Sequence, residues 1–284
     1  MAKVSKGEKR AIEVSASLWV DLLAYGSMLE AAQWDPTSDA AAAALARIVE
    51  FQRLITKHST RHFPTFVMND GAIAFRDMSP RSCGVTFDFL KRAIALHREV
   101  NDVDRAAGYP GARAVLAVGF RVRRYVNYTS RLQSGEGKRI KEKLAEGLVG
   151  TDQAINHALM ARHHSDSTPE LQHNYAMTKA YLVDAGGTKK GFNGPNLFLD
   201  LNMFQAQLPS WITMTSQTEW AERGMQGTFG TFESLDEVTA HKEKFTGMRN
   251  AFEIAEVLSP NPDIVKLIRA TRIGDLREPR VDEI

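Results

Sequence analysis

Two aspartates carry the chemistry this sequence could perform. Asp21 lies in the apolar run "LWVDLL", and Asp70 lies in "FVMNDGAIAF", where two short apolar runs are joined by Asn69-Asp70-Gly71. Asn-Gly and Asp-Gly pairs favour tight hairpins because they tolerate positive φ, and an Asp at a strand end often caps a turn. Each residue alone therefore has an ordinary structural reading. Together they ask for more, because an unpaired carboxylate buried in "LWVDLL" costs roughly several kcal/mol, which a cation would offset. Two carboxylates converging on one edge are what a two-metal site needs: a few hard oxygen ligands, with open positions for substrate phosphates. Just after Asp21, "LLAYGS" offers backbone N–H groups and the Ser27 hydroxyl at a turn entering a helix, a good place to hold a triphosphate. This pattern points to phosphoryl chemistry.

The surrounding elements must bring the two acids together. Residues 15–25, "SASLWVDLLAY", read as a buried strand running into a turn at Gly26. "AAAALARIVEFQRLI" follows as a helix, with Leu45, Ile48, Val49 and Gln52 on one face. The hairpin pairs Phe63 to Met68 with Ala72 to Arg76. A second helix runs from Thr86 to Val100 with the stripe Phe87, Leu90, Ile94 and His97. After the "GYPG" break, "ARAVLAVGFRVRRY" is a further strand, basic at its far end. The order β, α, β, β, α, β predicts an α+β split βαββαβ sandwich: a mostly antiparallel sheet with helices on one face. Its first strand is central and the hairpin strand pairs beside it, so Asp21 and Asp70 are expected at one edge.

Past residue 126 the pattern is mainly helical to about Asp184. The Gly-rich "GGTKKGFNGPN" then leads into a strand at "LFLDLNMF". A charged helix is expected from Leu235 to about Val257, and a short amphipathic segment at "DIVKLIRATRI". These elements divide the chain into a catalytic domain over residues 1–215, with a helical insertion at about 126–170, and a mainly helical extension over 216–284.

Composition narrows the class. A chain of 284 residues that is 43% hydrophobic can bury a sizeable core. Thirty-six Lys and Arg against thirty-four Asp and Glu leave a net charge of +2, which gives no general electrostatic case for a nucleic-acid or membrane partner. Cys83 is the single cysteine, so no intrachain disulfide or cysteine zinc cluster can form, and a reducing, cytoplasmic location is the expectation. Glu13 and Asp21 interrupt the apolar stretch that follows the basic first ten residues, against an export signal. No run of about 18 uncharged apolar residues is present, against a membrane span.

At these residues the chain resembles a known family. "LWVDLLAYGSML" resembles the first metal motif of class III nucleotide cyclases, "MNDGAIAF" their second, and "RAVLAVG", Arg113 to Gly119, the strand after their second helix. The likeness spans residues 15–120, and the later half is only loosely similar. It implies that Asp21 and Asp70 bind two Mg²⁺ or Mn²⁺ ions, one lowering the pKa of the ribose 3′-hydroxyl and the other holding the β- and γ-phosphates. It also implies that Leu22, Tyr25, Gly26 and Ser27 line the substrate, and that the site forms in a homodimer with an Asn and an Arg reaching across.

Two departures refine the expectation. Purine cyclases carry a Lys or Glu four residues before the second metal Asp, and here that residue is Phe66. An apolar ring can stack on a base or wall it off, but it cannot make the hydrogen bonds that separate adenine from guanine. UTP or CTP becomes the expected substrate, UTP preferred. The pyrimidine cyclases of bacterial Pycsar anti-phage defence share this combination, and "LQHNYAMTKAYLVDAGG" is similar to their C-terminal half. That resemblance implies base contacts from Arg121 and Tyr125, which a solvated strand end would explain equally, and a cyclic product read by a separate effector. The second departure concerns the transition-state pair. Asn127 and Arg131 have the family spacing but follow the strand too soon, so Asn174 and Lys179 are preferred.

Other constellations are bland. "ARHHSD", 161–166, reads as a polar loop. "GGTKKG" lacks the ending of a phosphate loop, although its two lysines could approach a triphosphate. Cys83 has no neighbouring His or Lys to make it a nucleophile. The competing functions are an adenylate cyclase with an unusual base pocket and a cyclase-like module that binds without turnover.

Overall fold

The computed structural model describes residues 10–124, 135–154 and 171–275. The chain divides into two compact units, residues 12–122 with 173–284 and residues 1–11 with 123–172. In the second, α4 (Gly135–Ala145) ends where the Leu148 N–H donates to the Lys143 carbonyl at 2.8 Å. Asn127, Arg131 and the histidines of "ARHHSD" lie outside the described residues, as does Tyr125.

The larger unit is built on a seven-stranded sheet in the order β2-β3-β1-β4-β5-β7-β6. Its strands are β1 (Arg10–Leu22), β2 (Thr65–Met68), β3 (Gly71–Asp77), β4 (Ala112–Arg124), β5 (Leu197–Asp200), β6 (Ile212–Glu222) and β7 (Met225–Leu235). The pairs β1–β3, β2–β3, β5–β7 and β6–β7 are antiparallel, and β4–β5 is parallel. The α+β architecture with a mostly antiparallel sheet is thus as expected, and β1 is central with the hairpin beside it.

The side chains of β1 alternate between two faces. Val14, Ala16, Leu18, Val20 and Leu22 enter a core shared with Phe51 and Leu54 of α2 (Asp39–His58) and with Phe87, Leu90 and Ile94 of α3 (Gly84–Ala106). The opposite face is covered in part by α5 (Tyr175–Gly186): the Ser17 hydroxyl donates to Asn174 Oδ1 at 3.5 Å, and Trp19 packs edge-on to Tyr181 at 5.2 Å. Helices therefore lie on both faces. The sequence pattern could not show this, because α5 is almost uniformly apolar and offers no face to read.

Several element readings change. The buried face of α2 is Ala44, Arg47, Ile48, Phe51, Leu54 and Ile55, whereas Leu45 and Val49 stand 62% and 54% exposed. The alanine run has too little size contrast to fix the face, and Phe51 and Leu54 decide it. His97 lies on the buried side of α3 as expected, and burial pushes its pKa down to about 4. The strand at "LFLDLNMF" stops at Asp200, whose side chain accepts the Asn202 N–H and starts a 3₁₀ turn over Leu201–Met203.

The helix expected over 235–257 is two short helices, α6 (Glu237–Lys242) and α7 (Ala251–Leu258), capped by Asp236 and Asn250. α8 (Ile264–Asp275) is the last element among the described residues. The division at 215/216 falls inside β6, whose hairpin with β7 was not anticipated. Most of its residues are at least partly exposed on both faces, so apolar alternation is weak. The Arg223-Gly224 turn, with φ 50° and 81°, was the readable signal. Among the described residues no helix is long and apolar enough to cross a membrane.

Candidate metal and nucleotide site

Strand alternation delivers Asp21 to the end of β1, on the face opposite the α2–α3 core. Its Cα partner is Gly71, and the Leu22 N–H donates to the Asp70 carbonyl at 3.0 Å. The two-residue turn Asn69-Asp70 therefore stands directly beside Asp21, with Asn69 at φ 57°. Gly71 opens β3 rather than occupying the turn. It has to be glycine, because a Cβ there would lie 2.7 Å from the Trp19 ring. The sheet thus brings together the two acids predicted to share an edge.

The electrostatics of that edge are strained. Burial pushes the Asp21 carboxyl up to about 7, the negative charges of Asp184 and Asp70 add to the shift, and Arg113 opposes it. Arg113 is close because β4 runs beside β1, with the Leu23 N–H donating to the Gly111 carbonyl at 3.0 Å. Its guanidinium is already engaged: Nε donates to Asp184 Oδ1 at 2.5 Å, Nη2 to the Asp184 carbonyl and Nη1 to the Phe192 carbonyl, both at 3.0 Å. Asp184 Oδ2 accepts from Trp19 Nε1 at 3.2 Å. Asp184 is thereby committed to the fold, while neither Asp21 nor Asp70 pairs with a cationic side chain among the described residues.

Among the described residues no group of three or more His, Cys, Asp and Glu side chains is placed to hold a metal ion. The donor set is two carboxylates. That fits Mg²⁺ or Mn²⁺, hard ions held by one or two protein carboxylates with the remaining positions left to phosphates and water. It also fits Asp21, whose raised pKa marks an edge where a positive charge would be stabilising.

The turn that follows Asp21 is fixed from below by one buried ion pair. Arg47 Nε and Nη2 donate to Asp104 at 2.9 and 2.8 Å, and Nη2 also donates to the Leu23 carbonyl at 3.0 Å. Asp104 accepts the Gly111 N–H at 2.8 Å, and the guanidinium lies over the Tyr109 ring at 4.6 Å. α2, α3, the end of β1 and the start of β4 meet at this pair.

The expected substrate contacts fare unevenly. The N–H groups of Leu22 and Leu23 are used by the sheet, so they are not open to a phosphate. Leu22 and Tyr25 are core residues, and burial first, then the Asp70 charge, raises the Tyr25 phenol pKa. Gly26 and Ser27 are exposed in the first turn of α1 (Tyr25–Ala31). Phe66 faces Ile73 across the hairpin and stacks on Phe75 at 5.9 Å, half-buried on the same sheet face as Asp21.

Arg121, Asn174 and Lys179 gather elsewhere. Arg121 bridges Asn174 in the backbone and pairs with Asp77, its Nε donating to Oδ1 at 2.8 Å. Asn174 caps α5, its Oδ1 accepting the Met177 N–H at 3.0 Å. Lys179 is 4% exposed and sits 2.6 Å from the fully buried Asp200, with its ammonium over the Phe229 ring at 5.3 Å. A cleft of about 930 Å³ opens beside Lys179, Tyr175 and Trp220. Asn174 meets β1 at Ser17, four residues from Asp21, which is about 13 Å along a strand. Within one chain this group is not next to the metal edge.

Arg113, Asp184 and Trp19 escaped the sequence reading. Trp19 was reachable, since alternation puts it on the face of Asp21. Arg113 and Asp184 are 71 residues apart, and only the three-dimensional register joins them.

No family model matches the chain, and no curated protein matches it either. Among solved structures it is similar to a guanylyl cyclase, with 10% identity, 80% of this chain and 94% of the other covered, and a TM-score of 0.43. It is also similar to the guanylate cyclase domain of RhGC from Catenaria anguillulae in complex with GTP, with 9% identity, 81% and 99% covered, and a TM-score of 0.39. A bacterial light-regulated adenylyl cyclase gives 9% identity, 84% and 59% covered, and a TM-score of 0.42.

Proposed function

We propose that this chain is a metal-dependent nucleotide cyclase that converts UTP, or CTP, to the 3′,5′-cyclic nucleotide and pyrophosphate. The observation that carries the reading is the convergence of Asp21 and Asp70 at one sheet edge, where Asp21 is half-buried beside negative charges and neither acid is paired with a cation among the described residues. Asp21 and Asp70 would hold two Mg²⁺ or Mn²⁺ ions, which supply activation of the ribose 3′-hydroxyl and neutralisation of phosphate charge. The chain's part is to present both carboxylates from a rigid sheet edge and to keep the Leu22–Ser27 turn fixed through Arg47. Asp21 must give up its proton to become a ligand.

Phe66, stacked on Phe75, offers an apolar wall for a base and no hydrogen bonds to tell adenine from guanine, which supports a pyrimidine. Arg121, Asn174 and Lys179 lie too far along β1 to serve the same chain's metal edge. Their proposed roles in base contact and transition-state stabilisation therefore require a homodimer, in which each chain supplies one half to its partner's site. Tyr125 is proposed as a second base contact on the resemblance alone. The resemblance to Pycsar pyrimidine cyclases extends the proposal to a signal made during phage infection and read by a separate effector.

Incubating the purified protein with each nucleoside triphosphate and Mn²⁺, followed by mass identification of products, tests the reading. Cyclic UMP or cyclic CMP is expected. Cyclic AMP would transfer the chain to the adenylate class, and no turnover with any triphosphate would leave a binding module.

A further inference from the structure

The chain just after β5 and the loop before α7 build a second pocket, which neither Asp21 nor Asp70 lines. Two segments are zipped together there. The Arg249 N–H donates to the Met203 carbonyl at 2.9 Å and the Gln205 N–H to the Gly247 carbonyl at 2.8 Å, with Phe204 bridging Met248 between them. The Thr86 hydroxyl of α3 donates to the Arg249 carbonyl at 3.1 Å, so both backbone groups of Arg249 are held. Gly247, at φ 91°, permits the close approach, because a Cβ there would lie 2.6 Å from Pro209 Cγ. Between this zipper and the β6–β7 hairpin lies a pocket of about 220 Å³ whose polar lining is Asn202, Gln205, Gln217, Thr228 and Arg249. Asn202 and Thr228 are shared with the cleft beside Lys179, whereas Gln205, Gln217 and Arg249 are not.

The charge of this pocket is unbalanced. No Asp or Glu lines it, and among the described residues the Arg249 guanidinium forms no ion pair and makes one hydrogen bond, from Nη1 to the Asn202 carbonyl at 3.3 Å. A guanidinium carries five N–H donors, so most of the fork has no described partner. The same holds for the side chains of Asn202, Gln205, Gln217 and Thr228. We infer that the pocket binds a small organic carboxylate. One fixed positive charge suits a monoanion, and the planar fork matches a carboxylate through two parallel hydrogen bonds. Phe204 and Leu208 supply an apolar wall for a short hydrocarbon body. Volume sets its size: a cavity of about 150 Å³ holds benzene, so this one takes a carboxylate with a body of about four carbons. The plainer role of Arg249, tying its loop to the turn after β5, uses a single N–H and needs no anion.

Saturation-transfer NMR of the full chain with isovalerate separates the two roles and requires neither metal nor turnover. Isovalerate should bind, and its uncharged analogue isovaleramide should bind at least about tenfold more weakly, the scale of losing a charge-assisted hydrogen bond. Arg249→Gln should weaken isovalerate by a similar factor. Gln217→Glu, at an exposed strand position where folding is least disturbed, should do likewise by placing a competing carboxylate in the lining, and it carries the test should Arg249→Gln fail to fold. Lys242→Gln, the same loss of one positive charge at an exposed position outside the pocket, should leave binding unchanged. No binding of isovalerate, equal affinity for isovaleramide, undiminished binding in either pocket variant, equal weakening by Lys242→Gln, or tighter binding of inorganic phosphate in competition would overturn the assignment. A positive result stands whether or not any triphosphate is cyclised.

Discussion

Two stretches of β1, its C-terminal end at Asp21 and its middle at Ser17, differ in how their polar groups are satisfied. At the Asp21 end, acids crowd together, and burial with neighbouring charge holds one of them partly protonated near neutrality. Around Ser17, Asn174, Lys179 and Arg121 are all buried and every one has a partner: the α5 cap, Asp200 and Asp77. The first end costs stability as it stands and is poised for a cation. The second contributes to the fold, and of its three residues Lys179 lines the cleft. The lesson is that a side chain of the right type is not yet a site, and that the unsatisfied end is where ligand binding has most to gain.

The contrast predicts opposite outcomes for substitutions in the two regions. Asp70→Ala or Asp21→Asn should lower cyclic product by about a thousandfold or more, the scale of removing a metal ligand from phosphoryl transfer. The Asp21→Asn chain should nevertheless melt higher than the unaltered protein in metal-free buffer above neutral pH. Lys179→Ala should do the reverse to stability, lowering it by about 3–5 kcal/mol because Asp200 is left charged and buried. Lys179→Met/Asp200→Asn, which removes both charges, should recover most of that loss in denaturant titration.

Mixing sharpens the comparison further. If the two regions serve each other across a homodimer, Asp70→Ala and Lys179→Met/Asp200→Asn chains should each be inactive alone and regain a measurable fraction of product formation when combined. Absence of recovery between folded chains would confine the chemistry to one end.

A smaller effect follows from the Asp21 proton. Its folded pKa of about 7 exceeds the ordinary 3.8, so the unfolded chain releases this proton first. Metal-free stability should therefore fall as pH rises from about 4 to about 7. Mn²⁺ affinity should move the other way, rising up to about tenfold per pH unit below about 7 as the carboxylate is freed, and levelling above it. A flat Mn²⁺ affinity across that range would show that Asp21 is not a ligand.

Much of the frame around the metal edge was legible because local rules converge there. Alternation in "SASLWVDLL", the "NDG" turn signal and the two flanking helices each state a local preference that the fold keeps. What was not legible depended on register between distant segments. Asp184 reads as one acid in an apolar helix until Arg113 and Trp19 are placed beside it. Lys179 reads as an available cation until β5 brings Asp200 beneath it. The β6–β7 hairpin was hidden because its partly exposed faces leave little apolar period.

The central claim is that Asp21 and Asp70 share divalent cations, and direct Mn²⁺ binding tests it without reference to substrate. Titrating Mn²⁺ into the full chain under electron paramagnetic resonance should show bound ion that is lost in both Asp21→Asn and Asp70→Asn, and kept in Asp184→Asn. Undiminished binding in either of the first two variants, or none in the unaltered chain with tripolyphosphate present, would contradict it.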